Sequence, residues 1–89
     1  QFISGAITGV GGALLSDIRL KENIIKTGIS KSGIPIYTFN YKNNNQIWSG
    51  TMAQDLIEMG KGNAVTTTDN GYYAVYYDMI DVNMELKTK

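Results

Sequence analysis

The chain has 89 residues, with eight acidic and eight basic side chains and neither cysteine nor histidine. The missing residue types exclude disulfides, thiolate or imidazole metal sites and a serine–histidine triad. The zero net charge argues against a nucleic-acid partner, and no apolar run reaches the roughly 20 residues of a membrane span. A chain this short buries little surface, so we expect oligomerisation to support its fold.

Residues 1–15 contain four glycines and no charged side chain, and they end on the pair Leu14–Leu15. Glycine disfavours helix and suits an extended chain with close backbone approach. We therefore predict an extended segment that is the end of another structural region. The sequence changes character at Ser16, where charged and hydroxyl side chains follow one another closely.

Strands dominate the prediction for the rest of the chain. Residues 34–42 alternate strictly, with aromatic side chains on one side and Pro35 near the start, a pattern typical of a strand. The asparagines at 43–45 and the sequence DNG at 69–71 predict turns that return the chain on itself. We predict strands over residues 23–29, 34–42, 46–50, 63–68 and 72–77.

Two helices complete the predicted α+β domain of antiparallel hairpins. Residues 51–60 place apolar side chains on one helical face and end at Gly60. Asp78 is expected to cap a C-terminal helix over residues 78–89. Apolar residues recur at 3–4 spacing in this helix, over barely one heptad: Met79, Val82 and Leu86.

The sequence SDIRLK at residues 16–21 has two interpretations. Serine and aspartate are common helix caps, and the charges could form a solvated face. Alternatively, Ser16 is a nucleophile whose proton is taken by a neutral lysine, the best base in a chain without histidine. Burial and a nearby cation such as Arg19 both lower a lysine pKa, and Asp17 is expected to pair with Arg19 rather than with Lys21.

The spacing of Ser16 and Lys21 limits how they can meet. Residues five apart lie roughly 140° apart around a helix and on opposite faces of a strand. The two side chains therefore come together only through a bend in the backbone or across two copies of the chain.

Four blocks in order, SDIRLKENI, GIPIYTFNYK, GTMAQDLIE and GYYAVYYDMIDV, resemble the intramolecular chaperone auto-processing domain, also called the peptidase S74 domain. Such domains end many bacteriophage tail spikes, tail fibres and neck appendages. The resemblance extends from Ser16 to about Leu86. It implies a C-terminal chaperone that assembles as a homotrimer, helps the upstream fibre or spike region of the same chain to fold, and then releases itself by autoproteolysis.

The resemblance also implies roles for individual residues. The cleaved bond is Leu15–Ser16, Ser16 is the nucleophile and Lys21 is the base. Asp17 and Arg19 match the remaining motif positions, with structural or pKa-tuning roles. No cofactor, metal, nucleic acid or membrane is implied.

The resemblance divides the chain into residues 1–15, the C-terminal end of the fibre or spike region, and residues 16–89, the chaperone domain. The precursor is expected to belong to the virion as a tail spike or appendage. The domain is expected to act in the infected bacterial cytoplasm during assembly. The C-terminal helix is shorter than the family's usual stalk, which weakens a role for it in holding a trimer.

Two other functions fit the residues. One is a structural trimerisation cap that never cleaves. The other is a carbohydrate-binding tip, suggested by the aromatic side chains, although aromatic residues on alternating strands fit a core or a subunit interface better.

Overall fold

The computed structural model describes residues 11–88, whose strands form two antiparallel sheets. The first sheet has the strand order β1 (Leu14–Leu15), β6 (Tyr73–Val75), β5 (Val65–Thr67). The second has the order β2 (Lys21–Ile29), β3 (Pro35–Tyr41), β4 (Trp48–Gly50), β7 (Glu85–Leu86). One short helix, α1 (Ala53–Glu58), and 3-10 turns at Ile18–Leu20, Gly62–Ala64 and Tyr77–Met79 complete the described elements.

The alternating pattern of residues 34–42 correctly predicted the central strand of the larger sheet. Pro35 is the first residue of β3, where its missing N–H costs no ladder hydrogen bond. Phe39 of β3 lies opposite Trp48 of β4, and both side chains are buried. Because directly opposed residues share a face of the sheet, this aromatic pair forms the centre of one core cluster.

The pairing of β2 with β3 positions one charged residue of the SDIRLK sequence. Lys21, the first residue of β2, lies opposite Tyr41, the last residue of β3. Both side chains are buried, although most of β2 is exposed at the edge of the sheet. The start of β2 therefore points a lysine into the aromatic core.

A second apolar cluster joins the helix to the smaller sheet. It contains the buried side chains Ile34, Ala53, Leu56, Val75 and Val82. The predicted helix over 51–60 is confirmed by α1, with Leu56 fully buried. Among the described residues no helix has the length and apolar character needed to cross a membrane.

The predicted C-terminal helix is wrong for the described residues. Only the 3-10 turn Tyr77–Met79 forms, and Ile80 after it is extended. The chain then buries Val82 in the second cluster and pairs β7 with β4. A helix of about one heptad gains little from propensity alone, whereas this path adds sheet hydrogen bonds and burial. Met79 is 52% exposed, so it and Val82 do not share a buried seam.

The glycine-rich N-terminal segment is described only in part. The predictions for residues 1–10 lie outside the described residues. Leu14–Leu15 is extended as predicted and pairs with Ala74 and Val75 of β6. The division of the chain at Ser16 and the homotrimer stay predictions.

Candidate active site

A sharp bend brings the two ends of the SDIRLK sequence together. Ser16 follows β1, and Asp17 caps the 3-10 turn Ile18–Leu20 by accepting a hydrogen bond from the backbone N–H of Arg19. The Lys21 N–H closes the turn by donating to the Ile18 carbonyl. The turn reverses the chain into β2, so residues that could not meet in a regular helix or strand can meet here.

The hydroxyl of Ser16 and the amine of Lys21 are in hydrogen-bond contact. Lys21 Nζ lies 3.2 Å from Ser16 Oγ, and the two residues are 3% and 0% exposed. Nζ also donates to the Thr51 carbonyl at 2.9 Å and lies 3.9 Å from the centre of the Phe39 ring. Burial lowers the Lys21 pKa well below its usual 10.5, and the negative charge of Asp17 opposes this shift only in part. A buried neutral amine beside a hydroxyl can accept its proton.

A tyrosine hydroxyl also contacts the serine. Tyr77 Oη lies 2.6 Å from Ser16 Oγ and accepts a hydrogen bond from the Thr51 N–H at 3.1 Å. Burial raises the Tyr77 pKa, while the hydrogen bonds with Ser16 and Thr51 oppose that rise. Gly50 makes room for this contact, since a Cβ there would lie 2.7 Å from Tyr77 Oη. Ser16 Oγ is thus held between an amine and a phenol.

The peptide bond before Ser16 is held on both sides. The Leu15 carbonyl oxygen accepts a hydrogen bond from the Tyr41 hydroxyl. The Ser16 N–H donates to the Tyr73 carbonyl at 3.2 Å. The next carbonyl, that of Ser16 itself, accepts from the Ala53 N–H at 2.9 Å. Fixed positions on both sides of one peptide bond are what an intramolecular attack on that bond requires.

The carboxylate of Asp17 holds the bend in place through hydrogen bonds. Its fully buried carboxylate accepts hydrogen bonds from the Arg19 guanidinium, from the backbone N–H of Arg19 and Tyr73, and from the Gln54 amide. Burial alone would raise the Asp17 pKa, but these hydrogen bonds hold it well below its usual range. The carboxylate is therefore charged at neutral pH and connects β6 and α1 to the turn.

The sequence predictions for the charged residues are partly correct. Asp17 pairs with Arg19, as predicted, with a closest N–O distance of 2.6 Å. Burial lowers the Lys21 pKa, as predicted, but Arg19 does not contribute to the shift and instead pairs with Asp17. The cap interpretation holds for Asp17, but a solvated face does not, since Ser16, Asp17 and Lys21 are buried.

The sequence did not indicate several groups that contact the site, among them Tyr41, Thr51, Tyr73 and Tyr77. Thr51 fell within the predicted helix over 51–60, and the three tyrosines were assigned to a core, a subunit interface or a carbohydrate-binding tip. They come from distant parts of the chain, and only the pairing of both sheets brings them to one place. Within residues 11–88, no group of three acidic side chains lies close enough to hold a metal ion.

Comparison with known proteins supports the resemblance of the SDIRLK region to a known family. A family model, peptidase S74, described as chaperone of endosialidase, matches residues 16–64. No match was found among curated proteins or among solved structures. The matched range begins at Ser16 and includes Lys21, Tyr41 and Thr51, whereas Tyr73 and Tyr77 lie beyond it. Because the match covers more than half of the 89 residues, the chain belongs to the peptidase S74 family, whose description is chaperone of endosialidase.

Proposed function

We propose that this chain is an intramolecular chaperone that releases itself by cutting its own Leu15–Ser16 bond. The observation that carries the proposal is the buried contact of 3.2 Å between Ser16 Oγ and Lys21 Nζ, immediately after that bond. Family membership supports the chaperone role. The lowered Lys21 pKa supports a role for the amine as general base.

The proposed reaction begins as an N-to-O acyl shift within one chain. Lys21 Nζ takes the proton of Ser16 Oγ as this oxygen bonds to the Leu15 carbonyl carbon, forming a five-membered ring. The carbon–nitrogen bond then breaks, and Lys21 returns the proton to the Ser16 nitrogen. Water hydrolyses the resulting ester, leaving a carboxylate on Leu15 and both the hydroxyl and the amino group free on Ser16.

Self-release would make the stability of the upstream region kinetic. We propose that the domain aligns three chains, so that the upstream fibre or spike region of a bacteriophage tail folds as a homotrimer. Once the bond is cut, the fibre can no longer unfold by the route along which it folded. Its persistence then depends on an unfolding rate rather than on an equilibrium. The precursor would be a virion protein that is assembled and processed in the bacterial cytoplasm.

Mass spectrometry of the refolding chain tests the proposal. Chains of residues 1–89 are made by chemical synthesis, refolded from denaturant and sampled over time for a fragment that begins at Ser16. We expect Ser16→Ala and Lys21→Ala to slow its appearance at least about 1000-fold, as removal of a nucleophile or base does elsewhere. Matched controls are Ser49→Ala, another buried serine, and Lys26→Ala, an exposed lysine of β2; both should cut at the unsubstituted rate.

The ester can be trapped chemically. Added hydroxylamine should attack it and leave a hydroxamate on Leu15, which is distinguished by mass from the carboxylate formed with water. A folded chain that stays intact would contradict self-cleavage and favour a cap that never cleaves. Normal cleavage of Ser16→Ala or Lys21→Ala would contradict the roles of these residues.

A further inference from the structure

We infer that Tyr41 is a further catalytic residue, whose hydroxyl stabilises the oxyanion that forms on Leu15 during cleavage. The inference rests on the proposed function, because it assigns a role in that same reaction. When Ser16 Oγ bonds to the carbonyl carbon, the Leu15 oxygen takes up negative charge. A fixed donor already in contact with that oxygen stabilises the charge without first having to reorganise.

The direction of the Leu15 carbonyl follows from the strand register. Ser16 donates its N–H to the Tyr73 carbonyl of β6. Along a strand of an antiparallel pair, the backbone N–H and C=O groups of successive residues alternate between pointing at the partner strand and pointing away from it. Leu15, one residue earlier, therefore turns its carbonyl away from β6. It meets the Tyr41 hydroxyl, with 2.5 Å between the two oxygens. The larger sheet thus supplies the donor and the smaller sheet holds the Ser16 nitrogen.

Tyr41 is built as a fixed donor. Its side chain is only 6% exposed and packs edge-on against Phe39, with ring centres 5.5 Å apart. Tyr41 has no polar atom in its side chain other than the hydroxyl, and the hydroxyl contacts Leu15. Burial raises the Tyr41 pKa, with a smaller contribution from Tyr77, so the hydroxyl keeps its proton through neutral and mildly basic pH.

The register of β2 and β3 also places the donor beside the base. Lys21 and Tyr41 are directly opposed, and Lys21 Nζ lies 5.8 Å from the centre of the Tyr41 ring. The amine contacts Ser16 Oγ, whereas the phenol contacts the Leu15 oxygen. One pair of opposed residues therefore serves both the attacking atom and the oxygen that receives the charge.

Replacement of Tyr41 by phenylalanine tests the inference. Tyr41→Phe keeps the ring in the core and removes only the hydroxyl. We expect the cleavage rate of the refolding chain to fall about 100- to 1000-fold, the usual effect of removing one oxyanion donor. The matched control is Tyr37→Phe, the same change on the same strand, which removes a hydrogen bond to Asp55 on α1. The control should cut at the unsubstituted rate.

Separate readouts keep the outcomes distinct. Folding of each chain is followed by circular dichroism and by the fluorescence of buried Trp48. A folded Tyr41→Phe chain that cuts as fast as Tyr37→Phe would overturn the role of Tyr41 and leave the proposed cleavage intact. An unsubstituted chain that folds and never cuts would instead overturn the proposed function.

A second substitution covers the case in which Tyr41→Phe does not fold. Chemical synthesis allows 3-fluorotyrosine at position 41, which keeps the ring and makes the hydroxyl a stronger donor. We expect faster cleavage at neutral pH than with 3-fluorotyrosine at position 37. Equal rates for the two chains would overturn the inference.

Discussion

Lys21 Nζ contacts Ser16 Oγ within a single chain, across a separation of five residues that neither a helix nor a strand could close. The 3-10 turn Ile18–Leu20 closes it, and the buried carboxylate of Asp17 holds the turn in place. A second chain is therefore not needed to bring the amine to the hydroxyl. If assembly controls cleavage, it does so by folding this bend and not by supplying the base.

Mixing two inactive chains tests whether the base acts within its own chain. Ser16→Ala keeps Lys21, and Lys21→Ala keeps Ser16, so an intermolecular contact would let the first chain restore cleavage of the second. Because the contact lies within one chain, we expect no fragment beginning at Ser16 when the two chains are refolded together. Unsubstituted chain refolded with either variant is the positive control. Cleavage of Lys21→Ala in the mixture would contradict the intramolecular contact.

The C-terminal path can be tested by comparing two apolar residues. A helical seam would make Met79 and Val82 equally important, whereas the structure buries Val82 and leaves Met79 52% exposed. We expect Val82→Ala to lower the free energy of unfolding by about 1 to 3 kcal/mol, because it leaves a cavity in the second core cluster. Met79→Ala should change it by about 0.5 kcal/mol or less. Urea unfolding in a Ser16→Ala background measures both, and similar losses would favour the helix.

Strands and turns could be predicted because their signals are local. The alternation around Phe39 predicts a strand whatever its partner strands are. Asn43 has a positive φ of 66°, the conformation expected of an asparagine in the predicted turn. The absence of histidine left lysine as the base, and the resemblance of SDIRLK to the peptidase S74 motif singled out Ser16 and Lys21 among the serines and lysines of the chain. Their contact could be predicted only as conditional on a bend.

The remaining parts of the site depend on long-range pairing, which local pattern does not contain. Tyr77 reaches Ser16 across 61 positions, and Tyr41 reaches Leu15 across 26. The C-terminal helix was predicted from capping and spacing, which are local signals. The helix does not form because pairing of β7 with β4 and burial of Val82 stabilise the extended path more, and no local pattern indicates these contacts.

Asp17 is expected to contribute to stability through its charge. Asp17→Asn removes one charged acceptor oxygen from a fully buried side chain, together with its ion pair with the 56% exposed Arg19 side chain. We expect the free energy of unfolding at pH 7 to fall by about 2 kcal/mol or more. Asp81→Asn is the matched control, because Asp81 accepts hydrogen bonds from Ser32 in an exposed position, and its loss should be much smaller.

The pH dependence of the free energy of unfolding distinguishes the effect of the Asp17 charge from the effect of its side-chain packing. Its folded pKa is lowered, so its stabilising contribution is present above the unfolded pKa of about 3.9 and is lost as the pH falls. The difference in the free energy of unfolding between the Ser16→Ala chain and its Asp17→Asn variant should therefore shrink below about pH 4. A difference that stays constant down to pH 2 would mean that the charge contributes nothing.

Lys21 is expected to reduce stability at neutral pH, the opposite of a structural lysine. Its folded pKa is lowered by burial, so the unfolded chain binds more protons between that pKa and the usual 10.5. Stability therefore rises with pH across this window and is lowest below it. In a Ser16→Ala background, we expect Lys21→Met to raise the melting temperature at pH 7 and the gain to narrow towards pH 10. Lys26→Met, on the exposed part of β2, should show no such pH-dependent gain. Lys21→Met also removes the hydrogen bond to the Thr51 carbonyl, so the pH dependence is the decisive readout. A difference from the Ser16→Ala parent that stays constant from pH 7 to pH 10 would mean that the Lys21 pKa is not lowered in the folded chain and would contradict its role as the base.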